Sequence, residues 1–181
     1  MEHFSEGDEV WLFGYGSLIY KVDFPWVERE PASIKGWVRR FWQGSHDHRG
    51  TPESPGRVVT LVPESGAVCQ GMAYRVSAAV FTQLDHREKN GYLRELVNIS
   101  FADGFCSQGL VYIASQDNAA FLGAASEQEI AQQIAVSQGP SGHNKDYLFA
   151  LANALRAMQN EDFHVFTLEK YVKDVYKDHS E

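Results

Sequence analysis

Residues 11–20 read W-L-F-G-Y-G-S-L-I-Y: a strand-like run, two glycines and a serine, then apolar residues again. Gly14 and Gly16 carry no Cβ, so the backbone there can turn sharply and approach a ligand closely. A turn of that kind can aim several main-chain N–H groups at one anion. The stretch is similar to two familiar motifs and fits neither. A dinucleotide-binding G-x-G-x-x-G beginning at Gly14 needs glycine or alanine where Ile19 stands. It also needs a helix next, and Lys21-Val22-Asp23-Phe24-Pro25 interrupts any helix. A nucleophile elbow G-x-S-x-G around Ser17 needs glycines at Tyr15 and Ile19. The loop therefore serves something other than a dinucleotide or an acyl-enzyme serine.

Outward from this loop, the first hundred residues read mainly as strands. Val10 to Phe13 leads into the loop, and Ile34 to Trp42 carries aromatic and β-branched residues. Arg57 to Val62 is a compact strand that Pro63 and the turn Glu64-Ser65-Gly66 are expected to stop. Ala67 to Val76 follows, with Gly71 marking a bend or a close backbone approach. The period then changes from two to nearly four. Ser77 is placed to cap a helix from Ala78 to about Lys89, which Asn90-Gly91 ends. Tyr92 to Phe101 and Gly109 to Ala114 are strands again.

The last third is helical. Ser126 to Glu129 has capping-box spacing and opens a helix through Val136. Gly139-Pro140-Ser141-Gly142 breaks the chain. Helices follow over Asn144 to Met158 and Asp162 to Tyr176, with apolar residues at helical spacing. Strands first and helices later indicate an α+β fold, a curved or barrel-like sheet with helices around it. With no repeat or linker in view, residues 1–181 read as a single domain.

Composition narrows the function classes. The chain has 181 residues, 44% hydrophobic and 13% aromatic, enough for a substantial core. A net charge of −8 with no basic stripe argues against nucleic acid or an anionic membrane as partner. No run approaches the ~18 apolar residues of a membrane span. Nothing demands a disulfide between Cys69 and Cys106, and the polar N-terminus lacks a signal-peptide pattern. A cytoplasmic setting is the expectation.

Among candidate functional residues, Glu88 stands out. It lies four residues after Leu84 and eight after Val80, on the apolar stripe of its helix. A carboxylate facing a core is costly unless paired or neutralised, and burial raises its pKa towards the range useful for proton transfer. The alternative is a solvated glutamate in the last turn, or one paired with an arginine such as Arg94. His46 and His48, two residues apart in the polar segment 43–50, share one face and can clasp a metal. No third ligand follows, because His86, His143 and His164 fit no recognised spacing. No metal or cofactor is therefore called for, and the segment reads as a polar loop that orders substrate or its neighbours.

With these residues in view, the chain closely resembles the ChaC-type γ-glutamylcyclotransferases. The resemblance is carried by F-G-Y-G-S-L at 13–18, V-D-F-P at 22–25 and R-R-F-W-Q-G-S-H-D-H-R-G-T-P at 39–52. P-G-R-V-V-T-L at 55–61, L-D-H-R-E-K-N-G-Y at 84–92, G-P-S-G at 139–142 and N-x-x-Y-L at 144–148 extend it. His86 departs from the family pattern, which has an aromatic residue there. G-Y-G-S alone is shared by the wider cyclotransferase superfamily, whereas the 39–61 block is specific and goes with glutathione as substrate.

The resemblance implies a small mixed β-barrel with flanking helices and cleavage of glutathione to 5-oxoproline and cysteinylglycine. By the same match Glu88 is the acid/base residue, and Gly14, Tyr15, Gly16, Ser17, Leu18 and Ile19 hold the γ-glutamyl group, mostly through backbone amides. Tyr15, Ser17 and Tyr92 are candidates for further hydrogen bonds. The competing readings are a cyclotransferase for other γ-glutamyl amino acids or amines, a non-catalytic regulator linked to cation transport, and a histidine-based metallohydrolase.

Overall fold

A computed structural model describes residues 4–88 and 90–179. The chain divides into two compact units, Met1–Val38 with Val62–Ser115, and Arg39–Leu61 with Gln116–Glu181. Five strands form a closed barrel in the order β1-β3-β2-β4-β5. They are β1 (Glu9–Gly14), β2 (Glu28–Ser45), β3 (Gly56–Ser77), β4 (Tyr92–Phe101) and β5 (Cys106–Ala114). The sheet is mixed: β1 runs antiparallel to β3 and parallel to β5, and β4 and β5 form an antiparallel hairpin.

The core of the first unit gathers around β1. Leu12 and Phe13 are fully buried, as are Ile34, Ala73, Tyr74, Val76, Ile99 and Val111. Burying each large apolar side chain contributes about 1.5–3 kcal/mol. Both strands beside β1 bring a glycine against it. A Cβ on Gly71 of β3 would collide with the Gly14 carbonyl and come within 2.7 Å of the Phe13 ring. A Cβ on Gly109 of β5 would lie 2.7 Å from the Trp11 carbonyl oxygen. The close backbone approach expected at Gly71 is thus the end of β1 itself.

Several boundaries differ from the sequence reading: β5 starts three residues before Gly109, at Cys106, and β2 ends at Ser45 rather than Trp42. β3 continues through Pro63 and Gly66, where a stop was expected. The stretch from Pro63 to Gly66 is exposed and Gly66 has φ +81°, so the missing proline N–H leaves no buried acceptor unpaired. β2 starts six residues earlier than Ile34, at Glu28, and Gly36 bends it at φ +86°. After β3, helix α2 spans Val80–Arg87 rather than starting at Ala78. Ser77 lies ahead of the helix: its hydroxyl donates to the Glu6 carbonyl and accepts from the Ala79 N–H at 3.4 Å, while Ala78 donates its N–H to the Asp8 carbonyl.

In the second unit the helices are α3 (Glu127–Val136), α4 (Asn144–Ala157) and α5 (Phe163–Asp178). Ser126 forms the expected capping box, and Asp162 caps α5 by accepting from the Val165 N–H. Ile130, Ile134, Leu148, Leu151, Leu155, Val165, Leu168 and Val172 are fully buried. The breaking segment at 139–142 is the turn of a short hairpin, β6 (Gln138–Gly139) with β7 (Gly142–His143). Asn144 is fully buried and copies a strand partner, since its amide donates to the Arg57 carbonyl and accepts from the Arg57 N–H, both at 2.8 Å.

Gly71→Ala is expected to destabilise the protein by about 1–3 kcal/mol, the usual cost of overpacking. Urea unfolding measures it, and an unchanged midpoint would show that β1 and β3 can move apart freely.

Candidate active site

The glycine loop is fixed from inside the barrel. β1 ends at Gly14, where a Cβ would sit 3.0 Å from the Leu18 Cβ and 3.5 Å from the Tyr74 ring. The chain then makes one helical turn, α1 (Ser17–Tyr20), and stops at Lys21. The apolar residues that follow the glycines form this turn, and the interrupter segment keeps it to a single turn. The Ile19 N–H closes the loop on the Gly16 carbonyl at 3.0 Å. Leu18 and Ile19 have buried side chains, so they face the core and leave only main chain for a ligand. The Tyr74 hydroxyl donates to the Leu18 carbonyl at 2.7 Å. Tyr15 is buried as well, and its hydroxyl donates to the Tyr112 carbonyl at 2.5 Å. Ser17 is half-buried at the start of the turn.

Glu88 caps the C-terminal end of α2, its N–H bonded to the Leu84 carbonyl at 2.8 Å. Its side chain is 17% exposed. Burial raises its pKa, the Arg87 guanidinium opposes that rise, and Asp23 adds to it. Arg94 is not its partner. That arginine pairs with Asp85 at 3.0 Å, while the Arg87 Nε lies 4.0 Å from the Glu88 carboxylate. The Glu88 carbonyl accepts from the Tyr92 N–H at 3.3 Å, which sets Tyr92 at the start of β4 one turn away. The expected end of the helix at Lys89 lies outside the described residues, and Gly91 takes the left-handed conformation at φ +100°.

Two side-chain links join the loop to the helix that carries Glu88. Tyr15 holds the Tyr112 carbonyl, and the Tyr112 hydroxyl donates to Asp85 at 2.7 Å, three residues before Glu88. Burial and this contact with Asp85 raise the Tyr112 pKa, which keeps the phenol protonated as a donor. The second link runs from Asp23, just past α1, to Arg87 at 2.6 Å. Sequence reasoning did not assign Asp23, Asp85, Arg87 or Tyr112 to the site. Two signals were available: Asp85 and Glu88 stand at i,i+3 on one helix, and a tyrosine in the apolar run Leu110–Ala114 needs a hydrogen-bond partner.

The polar segment belongs to the second unit and is tied to the 139–143 hairpin. His48 Nδ1 and the Ser141 hydroxyl are 3.0 Å apart, and Arg49 donates to the carbonyls of Ser141 and His143 at 2.9 and 3.2 Å. Gln43 and Asn118 exchange two amide hydrogen bonds at 3.0 Å. His46 is half-buried. Among the described residues, no group of three His, Cys, Asp or Glu side chains is placed to hold a metal ion. His164 is buried in the same unit, where its Nε2 accepts from the Phe41 N–H at 3.0 Å.

The raised Glu88 pKa has a consequence for stability. The folded protein holds this proton more tightly than the unfolded chain, so its stabilising effect is complete below the unfolded carboxylate value of about 4.3 and is lost as pH rises through the folded value. Glu88→Gln is therefore expected to raise the melting temperature at pH 7, with the gain fading towards pH 4. A melting temperature lowered at both pH values would mean that the ionised carboxylate is favourably held.

Comparisons with known proteins show the family. A family model described as "ChaC-like protein" matches residues 10–175. The chain is 44% identical over 171 residues to a Danio rerio protein named glutathione-specific gamma-glutamylcyclotransferase 1, covering 88% of this chain and 87% of that one. It is 42% identical to the Arabidopsis thaliana gamma-glutamylcyclotransferase 2-3, covering 95% and 92%. Among solved structures, a yeast gamma-glutamyl cyclotransferase specific to glutathione superposes with a TM-score of 0.86 at 34% identity, covering 92% of this chain and 96% of that one. With nearly its whole length matched, and its barrel and helices shared with a solved relative, the chain belongs to the ChaC-like family.

Proposed function

We propose that this protein is a glutathione-specific γ-glutamylcyclotransferase, releasing 5-oxoproline and cysteinylglycine, with the whole chain working as one domain. The observation that carries the reading is Glu88, a largely buried carboxylate of raised pKa, linked through Arg87–Asp23 and Asp85–Tyr112–Tyr15 to the glycine loop. The names of the relatives supply the substrate class.

The chemistry needs little more than these parts. The glutamyl α-amine attacks its own γ-carbonyl carbon, a C–N bond forms to close a five-membered ring, and the C–N bond to the cysteinyl nitrogen breaks. The nucleophile belongs to the substrate, so an enzyme serine or cysteine has no step to perform. Holding the glutamyl chain folded gives intramolecular attack a high effective molarity. Protons must still leave the α-nitrogen and one must reach the departing nitrogen. A carboxylate with its pKa raised towards neutrality can make both transfers.

In this reading Gly14 to Ile19 hold the γ-glutamyl group through main-chain amides, most directly at Ser17 and Leu18. The first N–H groups of a helical turn have no partner within the turn. The same donors suit a substrate carboxylate or a developing oxyanion. Ser17 and Tyr92 supply side-chain hydroxyls, whereas the Tyr15 hydroxyl proton is engaged inside the protein. No step draws on a metal or a cofactor. A reducing, cytoplasmic setting completes the proposal. No helix among the described residues is long and apolar enough to cross a membrane.

Incubation with glutathione is expected to yield 5-oxoproline and cysteinylglycine in equal amounts, with γ-glutamyl-alanine turned over poorly. Glu88→Gln is expected to lower kcat/KM at least about 100-fold, the lower end of what a positioned acid/base contributes. Near wild-type release of 5-oxoproline by this variant would overturn the assignment, and preference for γ-glutamyl-alanine would overturn the substrate.

A further inference from the structure

One guanidinium stands between two carboxylates beside the site. Arg87 places Nη1 2.6 Å from Asp23 Oδ1 and Nε 4.0 Å from Glu88 Oε1. The Asp23 contact is a hydrogen-bonded ion pair, while the Glu88 contact is at the outer limit of pairing. A guanidinium is a rigid fork that binds a carboxylate through two parallel N–H bonds when nothing else holds it. With its Nε already 4.0 Å from that carboxylate, Arg87 would otherwise meet Glu88.

Asp23 is held in place by its neighbours. Phe24 is buried, edge-on to the Tyr74 ring at 5.3 Å, and Tyr74 in turn holds the Leu18 carbonyl. Val27 then donates its N–H to the Arg75 carbonyl of β3 at 2.8 Å. The Asp23 side chain is 51% exposed, and an ion pair so open to water adds little to stability. Its effect falls on the neighbouring buried carboxylate instead.

Resting on the role proposed for Glu88, we infer that Asp23 is a positioning residue: it holds the Arg87 guanidinium off the Glu88 carboxylate and ties the end of the glycine loop to the helix bearing that carboxylate. With Arg87 drawn aside, the Glu88 oxygens keep their lone pairs for the substrate nitrogen. Among the described residues, the charged and titratable groups around Glu88 are Arg87 on its own helix, Asp23 from the segment after α1, and Tyr112 from β5. Tyr112 in turn hydrogen-bonds Asp85, which pairs with Arg94. Burial and Asp23 push Glu88 up and Arg87 pulls it down, so losing Asp23 turns both of the last two effects against protonation.

The test is the pH dependence of kcat/KM for glutathione in Asp23→Asn, Arg87→Gln, the double variant and Asp23→Glu, each checked for a wild-type circular dichroism spectrum. In Asp23→Asn the acid-side limb is expected to move to lower pH, with activity at pH 7 falling about tenfold as the base weakens. Arg87→Gln should move the limb to higher pH. The double variant should recover most of the loss, and Asp23→Glu, which keeps the charge, should keep the wild-type limb. A loss in Asp23→Asn with no shift of the limb and no recovery in the double variant would mean a tether only and would overturn the inference. A wild-type profile in Asp23→Asn would overturn it too. Glu88→Gln separates the two levels. If it is inactive while Asp23→Asn is unshifted, this inference alone fails, and if it is active, the role of Glu88 fails and takes the inference with it.

Discussion

The site depends on how tightly β1 is enclosed. Its flanking strands each bring a glycine to its backbone, Gly71 from β3 and Gly109 from β5, where any side chain would meet a β1 carbonyl. Leu12 and Phe13 are fully buried as a result. β1 therefore ends at a fixed place, and the loop that leaves it at Gly14 starts from a rigid base. Two buried tyrosines then fasten the loop: Tyr15 to the β5 backbone and Tyr74 to the carbonyl of Leu18. Groups on rigid elements hold a reacting geometry better than groups on free loops.

Once the loop is fixed, its surroundings act mainly on one carboxylate. Glu88 sits at a helix end with most of its side chain out of water, beside a cation that Asp23 engages more closely. Neither burial nor charge alone describes its state. Burial favours the proton, Arg87 opposes it and Asp23 reinforces it. For the proposed reaction that balance suffices, because the substrate carries the nucleophile and the protein has only to fold it and move protons.

Much of this was legible in the chain. The glycine loop was defined by the residues it lacks, and Glu88 by a carboxylate at an apolar position, both consequences of spacing that survive folding. The capping box at Ser126 and the strand from Tyr92 to Phe101 are local features and fall where the sequence puts them. Boundaries that depend on partners moved. Pro63 did not end β3, because that stretch is exposed and no buried acceptor waits for its missing N–H. Ser77 did not cap α2, because the helix starts at Val80 and the Ser77 oxygen reaches only the Ala79 N–H before it. Leu18 and Ile19 formed a helical turn, and the Tyr74 hydroxyl reaches from β3 to donate to their carbonyls.

What the sequence determined by itself was a set of local features: a loop with two glycines and no third, a helix-end carboxylate on an apolar stripe, and strands followed by helices, the order of a barrel-like sheet with helices around it. These follow from residue type and period, which are properties of neighbours in the chain. Only the tertiary structure decided the partners of Glu88. Arg94, a plausible ion-pair partner by sequence, went to Asp85, and Arg87 was shared with Asp23, sixty-four positions away. Charge pairing falls off with distance in space and is indifferent to separation along the chain, so it is fixed only when the barrel closes.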